Sequence, residues 1–189
     1  MNTPAHLILG LAAFSKVGKP RVTGAAAAGA LLPDLSLYVL AGTSLFILQI
    51  PPQTVFGELY FSQAWQTVFA IDNSFVIWGL LLALALAVKS SWAVALCGAA
   101  LLHLALDFPL HHDDGRAHFW PLSNWKFESP FSYWDSAHHA GWIAPLEGLL
   151  VMAAAAVLAR RHRGWKMRGL TALLVALELY TIRNWLLFF

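Results

Sequence analysis

Residues 73–88 read NSFVIWGLLLALALAV, an apolar run with no charged side chain. Such a run needs either a large protein core or a bilayer, and a bilayer takes roughly 20 helical residues to cross. Further runs occupy residues 91–106, 143–159, 169–187 and 23–50. The last is interrupted by Pro33-Asp34. Pro33 either opens a helix over 33–49 or kinks one long helix. Residues 4–14 are apolar but too short to span, and no Lys or Arg precedes them, which argues against a secretory signal peptide. The runs are continuous rather than alternating, so helices are expected and a barrel is not. The predicted fold is an all-α polytopic bundle with about five spanning helices plus a short N-terminal helix. It forms a single membrane domain over residues 1–189, with external loops 51–71 and 109–140.

Composition sharpens the exclusions. Only 12% of the residues are Asp, Glu, Lys or Arg, against roughly 25% in an average soluble domain. A disordered chain, a coiled coil and a nucleic-acid-binding domain with a basic face are all excluded. Cys97 stands alone, so neither an internal disulfide nor a zinc ribbon is available.

Basic residues collect in three places: Lys16, Lys19 and Arg21; Lys89; and Arg160, Arg161, Arg163, Lys166 and Arg168. Threading the apolar runs puts all three on one side, which the positive-inside rule assigns to the cytoplasm. Trp65, Trp120, Trp125, Trp134 and Trp142 then lie at or near the outer interface, where such rings are favoured.

Histidine carries the chemistry. Six of the eight histidines lie between positions 103 and 139, together with Asp107, Asp113, Asp114 and Asp135. His103 and Asp107 stand four apart in LLHLALDFP, so they share a helix face. A carboxylate facing lipid costs several kcal/mol, so Asp107 must face a partner inside the protein. Counting 1.5 Å per residue from the basic ends puts Asp34 and His103 both roughly 17–18 Å up their helices. Asp34, His103 and Asp107 are therefore expected within about 5 Å of one another, close enough to share an ion. His6 and Asp72 belong to the same outer layer, Asp72 alternatively as a helix N-cap. A second cluster is expected from His111, His112, His118, His138, His139 and Glu147. Glu147 lies in a first helical turn if Pro145 opens the helix, and deeper if the helix starts earlier.

Acids and imidazoles converging on one membrane layer mark a metal site. A divalent ion brings the pKa of bound water toward neutrality for attack on an ester or phosphoester. Asp113 and Glu147 are the candidate general bases. Arg183 is a candidate grip for an anionic headgroup, with snorkelling to the interface as its simpler role. The same polar groups also fit a metal, ion or proton transporter without hydrolytic activity. The bare inner helix halves (LLALALAVK, MAAAAVLAR) favour instead a site open to one side. A structural factor binding partners through its aromatic loops leaves the buried acids unexplained.

His6 in TPAHLILG, Asp34 in LLPDLS, His103 and Asp107 in HLALDFPLHH, and the following Trp120-Pro121 resemble the bacterial membrane-bound metal-dependent hydrolases of the LexA-regulated inner-membrane type. Members often carry an HRGxTHS-like motif where this chain reads AIDNSFV, so Asp72 would stand in for a histidine ligand. A more distant likeness is to zinc-dependent phospholipase C and P1-type nuclease, which share an HxxxD helix. The resemblance implies zinc, with manganese or iron also accepted by carboxylate-rich sites. It further implies a lipid or amphiphilic substrate and a bacterial inner-membrane location with the site toward the periplasm.

Overall fold

A computed structural model describes residues 1–188, with only the backbone of Phe188. Among the described residues the chain is all-helical. Seven helices carry the bundle: α1 (Thr3–Phe14), α2 (Pro20–Gly42), α3 (Gln63–Asp72), α4 (Phe75–Ala87), α5 (Ser91–Asp107), α6 (Ala140–Arg161) and α7 (Trp165–Phe188). Four helical stretches are long and apolar enough to cross a membrane: Pro20–Ile47, Gln63–Ala87, Ala140–Arg161 and Trp165–Leu187. The expected fifth span, α5, is apolar but only 17 residues long, and α1 is shorter still. Leu80, Leu84, Leu149 and Leu173 all point outward with more than half of their surface exposed. Such broad apolar exposure is stable against lipid and not against water, so this is the architecture of an integral membrane protein.

Pro33 lies inside α2, which runs unbroken through it; of the two readings of Pro33, the long helix holds. The expected loop 51–71 is corrected. Ser62 accepts a hydrogen bond from the Trp65 amide, and Trp65 and Phe69, four apart on one face, are both buried. An N-cap followed by an apolar stripe makes a helix, so α3 occupies residues that hydropathy alone leaves to a loop. The N-cap role of Asp72 is corrected with it. Asp72 ends α3, and Ser74 caps α4 by accepting from the Ile77 amide at 3.0 Å. Helix α6 begins at Ala140, so Glu147 sits two turns in rather than at its start.

α1 is the central helix and touches α2, α5, α6 and α7. α2 and α5 form the most extensive pair, and small residues allow it, as at membrane helix interfaces generally. A Cβ on Gly29 would stand 2.0 Å from the Leu96 carbonyl oxygen, so only glycine lets these backbones meet. The three basic turns share one end of the bundle. Arg161 donates to the Ala12 carbonyl, and Ser15 pairs with His162 at 2.8 Å. Lys16 and Lys89 line one surface groove. The histidine-rich segment closes the opposite end.

Candidate metal centre

Close packing at Gly29 has a direct consequence one residue later. The Ala30 carbonyl reaches His103 and accepts its Nδ1–H at 2.8 Å. That bond fixes Nδ1 as a proton-bearing nitrogen and leaves Nε2 as the ring nitrogen available to a ligand. His103 Nε2 faces Asp107 Oδ2 at 3.3 Å and Asp34 Oδ1 at 3.6 Å, and it makes no hydrogen bond although fully buried. One ring nitrogen and two carboxylates therefore converge on one point.

Asp107 is the hub. Its Oδ1 lies 2.9 Å from His6 Nε2 and also receives the amino nitrogen of Met1. Its Oδ2 lies 3.4 Å from His111 Nε2. The His6 and His103 rings stack with centroids 3.5 Å apart and planes 12° from parallel. Ligand atoms of His6, His103 and Asp107 all lie within 4.8 Å of one another. Asp34 borders the group and is steadied by Thr3, whose hydroxyl donates to Oδ2 at 2.5 Å and meets the Tyr38 hydroxyl at 2.6 Å.

A cavity of about 270 Å³ opens onto this cluster, lined in part by Asp34, Tyr38, Asp107, His111, Asp114 and Arg116. His111 Nδ1 lies 2.9 Å from Asp114 Oδ2. Burial alone would lower the His111 pKa, but Asp107 and Asp114 outweigh it and hold it above the ordinary imidazole value. Burial would likewise raise the Asp114 carboxyl, yet His111 and Arg116 hold it below the usual carboxylate range. The Tyr60 phenol is pushed up to about 12 by burial, against the pull of Arg116.

Of the residues singled out by sequence, His6, Asp34, His103, Asp107 and His111 meet here. The members of the expected second cluster do not meet as one group among the described residues: two of them pair and the loop carries the others apart. His112 stacks on His138 at 3.6 Å and donates to the Ser129 carbonyl, while His138 pairs with Asp135 at 2.6 Å. His118 donates to the Asn73 carbonyl and packs among Phe75 and Phe108; it borders the cavity without joining the ligand group. His139 is exposed at a left-handed turn before α6. Asp72 is half-buried at the end of α3, outside the group.

The candidate bases also fall elsewhere. Asp113 is exposed, and Glu147 is buried where it accepts the Asn2 amide at 2.7 Å. Neither lines the cavity. Arg183 is exposed and also stands away from it.

Sequence reasoning missed Asp114 as a cavity carboxylate, Arg116, Thr3, Tyr60 and the buried Glu178. A signal existed for one of them: Arg116 is the one arginine inside the His- and Asp-rich window. No family model, curated protein or solved structure matches the chain.

Proposed function

We propose that this protein is a membrane-embedded metal-dependent hydrolase acting on an ester or phosphoester of a lipid or other amphiphile. The observation that carries the reading is His103. Its buried Nε2 faces Asp34 and Asp107 without a hydrogen bond, while Nδ1–H is donated to a backbone carbonyl. That pattern, with one nitrogen anchored and the other aimed at carboxylates, is how proteins prepare a histidine ligand. His6, His103 and Asp107 would hold a divalent ion, with Asp34 as a further oxygen donor. Imidazole and carboxylate together suit zinc, and manganese or iron also accept such a set. The ion would supply Lewis-acid activation of water and of the scissile group. Asp114 lines the same cavity with a buried Oδ1 that lacks a hydrogen bond, which suits it to accept a hydrogen bond from the attacking water and orient it. Asp113 and Glu147 lie outside the cavity and leave that role to it. The basic turns would face the cytoplasm and the site the periplasmic side of a bacterial inner membrane, by the positive-inside rule.

Metal analysis of protein purified without added metal tests the reading, with H103A and D107N beside it. Stoichiometric divalent metal is expected in the wild type and a loss of most of it in both variants. Ester and phosphodiester probes in mixed micelles should be cleaved by the wild type and spared by both variants. Metal-free wild-type protein that stays so after incubation with zinc, manganese and iron would defeat the reading. Bound metal without turnover on any probe would favour a carrier of metal ions.

A further inference from the structure

We propose that Arg116 is the recognition residue for an anionic group, phosphate or carboxylate, on an amphiphile whose head enters the cavity and whose chain leaves toward lipid. The substrate class so named rests on the hydrolase reading.

Arg116 is the one Arg or Lys side chain among the described residues lining the cavity. Its guanidinium carbon lies over two aromatic rings, 4.8 Å from the Tyr60 centroid and 4.3 Å from that of Phe69. Cation–π contacts of this kind hold the group in place without themselves using its N–H donors. Nη1 is buried and makes no hydrogen bond. A buried guanidinium N–H without an acceptor is costly. The neighbouring carboxylate does not relieve it, since Asp114 Oδ1 is itself buried without a partner. The cavity thus has two sides: Asp34 and Asp107, behind which His6 and His103 stand and which suit a cation, and the Arg116 side, which calls for an anion. An ester or phosphoester carrying a negative group beside its scissile bond satisfies both at once.

The exit for a chain is given by the rim. Tyr38 on α2 and Trp185 on α7 both border the cavity. Both belong to stretches able to span a membrane, and Tyr38 is 52% exposed on that surface. A cavity that opens beside span residues communicates with the bilayer rather than only with water. Free phosphate would use the Arg116 edge alone; an anionic lipid would use the edge and the rim together.

Binding to detergent-solubilised wild type, R116K and R116Q tests the proposal, read by intrinsic tryptophan fluorescence. The probes are phosphatidic acid, diacylglycerol and inorganic phosphate. Phosphatidic acid should bind the wild type, with affinity lowered by at least about tenfold in R116Q, the scale of one charge-assisted bond. R116K should fall between, because it keeps the charge and loses the fork. Diacylglycerol should bind all three alike, and metal content should match across them. Equal affinity of wild type and R116Q for phosphatidic acid would overturn the proposal. So would loss of metal in both variants, which would make Arg116 structural. Inorganic phosphate binding as tightly as phosphatidic acid would overturn the amphiphile and leave a free anion as ligand. These readouts need no turnover, so an inactive protein that still binds through Arg116 would defeat the hydrolase reading alone.

Discussion

The His6 ring lies flat on the His103 ring, with centroids 3.5 Å apart and both side chains buried. Two charged imidazoliums stacked this closely would repel each other, and a neutral pair suits metal binding. One edge of the stack meets Asp107, which contacts both rings. α1 and α5 are thereby joined through a cluster whose polar demands an ion would meet.

Chelation should therefore loosen the bundle as well as empty the site. A ligand that binds only the folded state at a hundredfold excess over its Kd adds about 2.7 kcal/mol of stability. Detergent-solubilised wild type should melt several degrees lower after EDTA and recover with zinc. D107N should show neither change. Identical melting curves with and without EDTA in metal-containing wild type would remove the ion from the stability of the fold.

Gly29 should control the site from a distance. G29A pushes a methyl group into the Leu96 carbonyl, and α2 must move away from α5. Overpacking of this kind costs about 1–3 kcal/mol. The displacement also draws the Ala30 carbonyl from His103 Nδ1, so metal affinity should fall with stability. G79A on α4 meets nothing within 4 Å and serves as the control, neutral or slightly stabilising. Melting temperature and metal content of the two variants should separate them.

His118 should make the fold acid-sensitive. Burial lowers its pKa to about 4, against roughly 6.5 when unfolded. The folded state thus binds fewer protons than the unfolded state between these values. The His118 contribution is fully present above the unfolded value and is lost as pH falls through the folded one. About 3 kcal/mol should disappear over that window, at 1.36 kcal/mol per unit. Chemical denaturation from pH 7 to 4 should show the decline, and H118Q, which keeps a donor for the Asn73 carbonyl, should flatten it. Parallel curves for the two proteins would assign the acid sensitivity elsewhere.

A reporter fused after Arg163 should read cytoplasmic, and one inserted near Gly115 should read external. The basis is the gathering of the three basic turns at one end of the bundle and the positive-inside rule. Cysteine accessibility at the same two positions gives an independent check. A cytoplasmic Gly115 would invert the orientation and place the cavity on the inner leaflet.

Hydropathy is additive along the chain, and so the sequence by itself determined a helical membrane bundle with its basic turns at one end. The His103–Asp107 pair was equally legible, since four residues of helix put both on one face whatever surrounds them. Depth counting also brought Asp34 to the level of His103, because helical rise is constant. Helix α3 was legible only in part: its Ser62 cap and its Trp65–Phe69 stripe are local signals, but mean hydropathy does not weigh them. Rotation of one helix against another is not local. It took the Gly29–Leu96 contact to carry the Ala30 carbonyl to His103 and decide which imidazole nitrogen faces the acids. The path of residues 109–140 was decided by tertiary structure too. Its histidines stand close in sequence, yet loop geometry sends His111 to Asp107, His112 to His138 and His118 among phenylalanines. For the same reason the arginine at the cavity is Arg116 from the loop and not Arg183 from α7. A helix presents each residue at an angle set by its packing partners, and a loop side chain goes where the surrounding bundle leaves room.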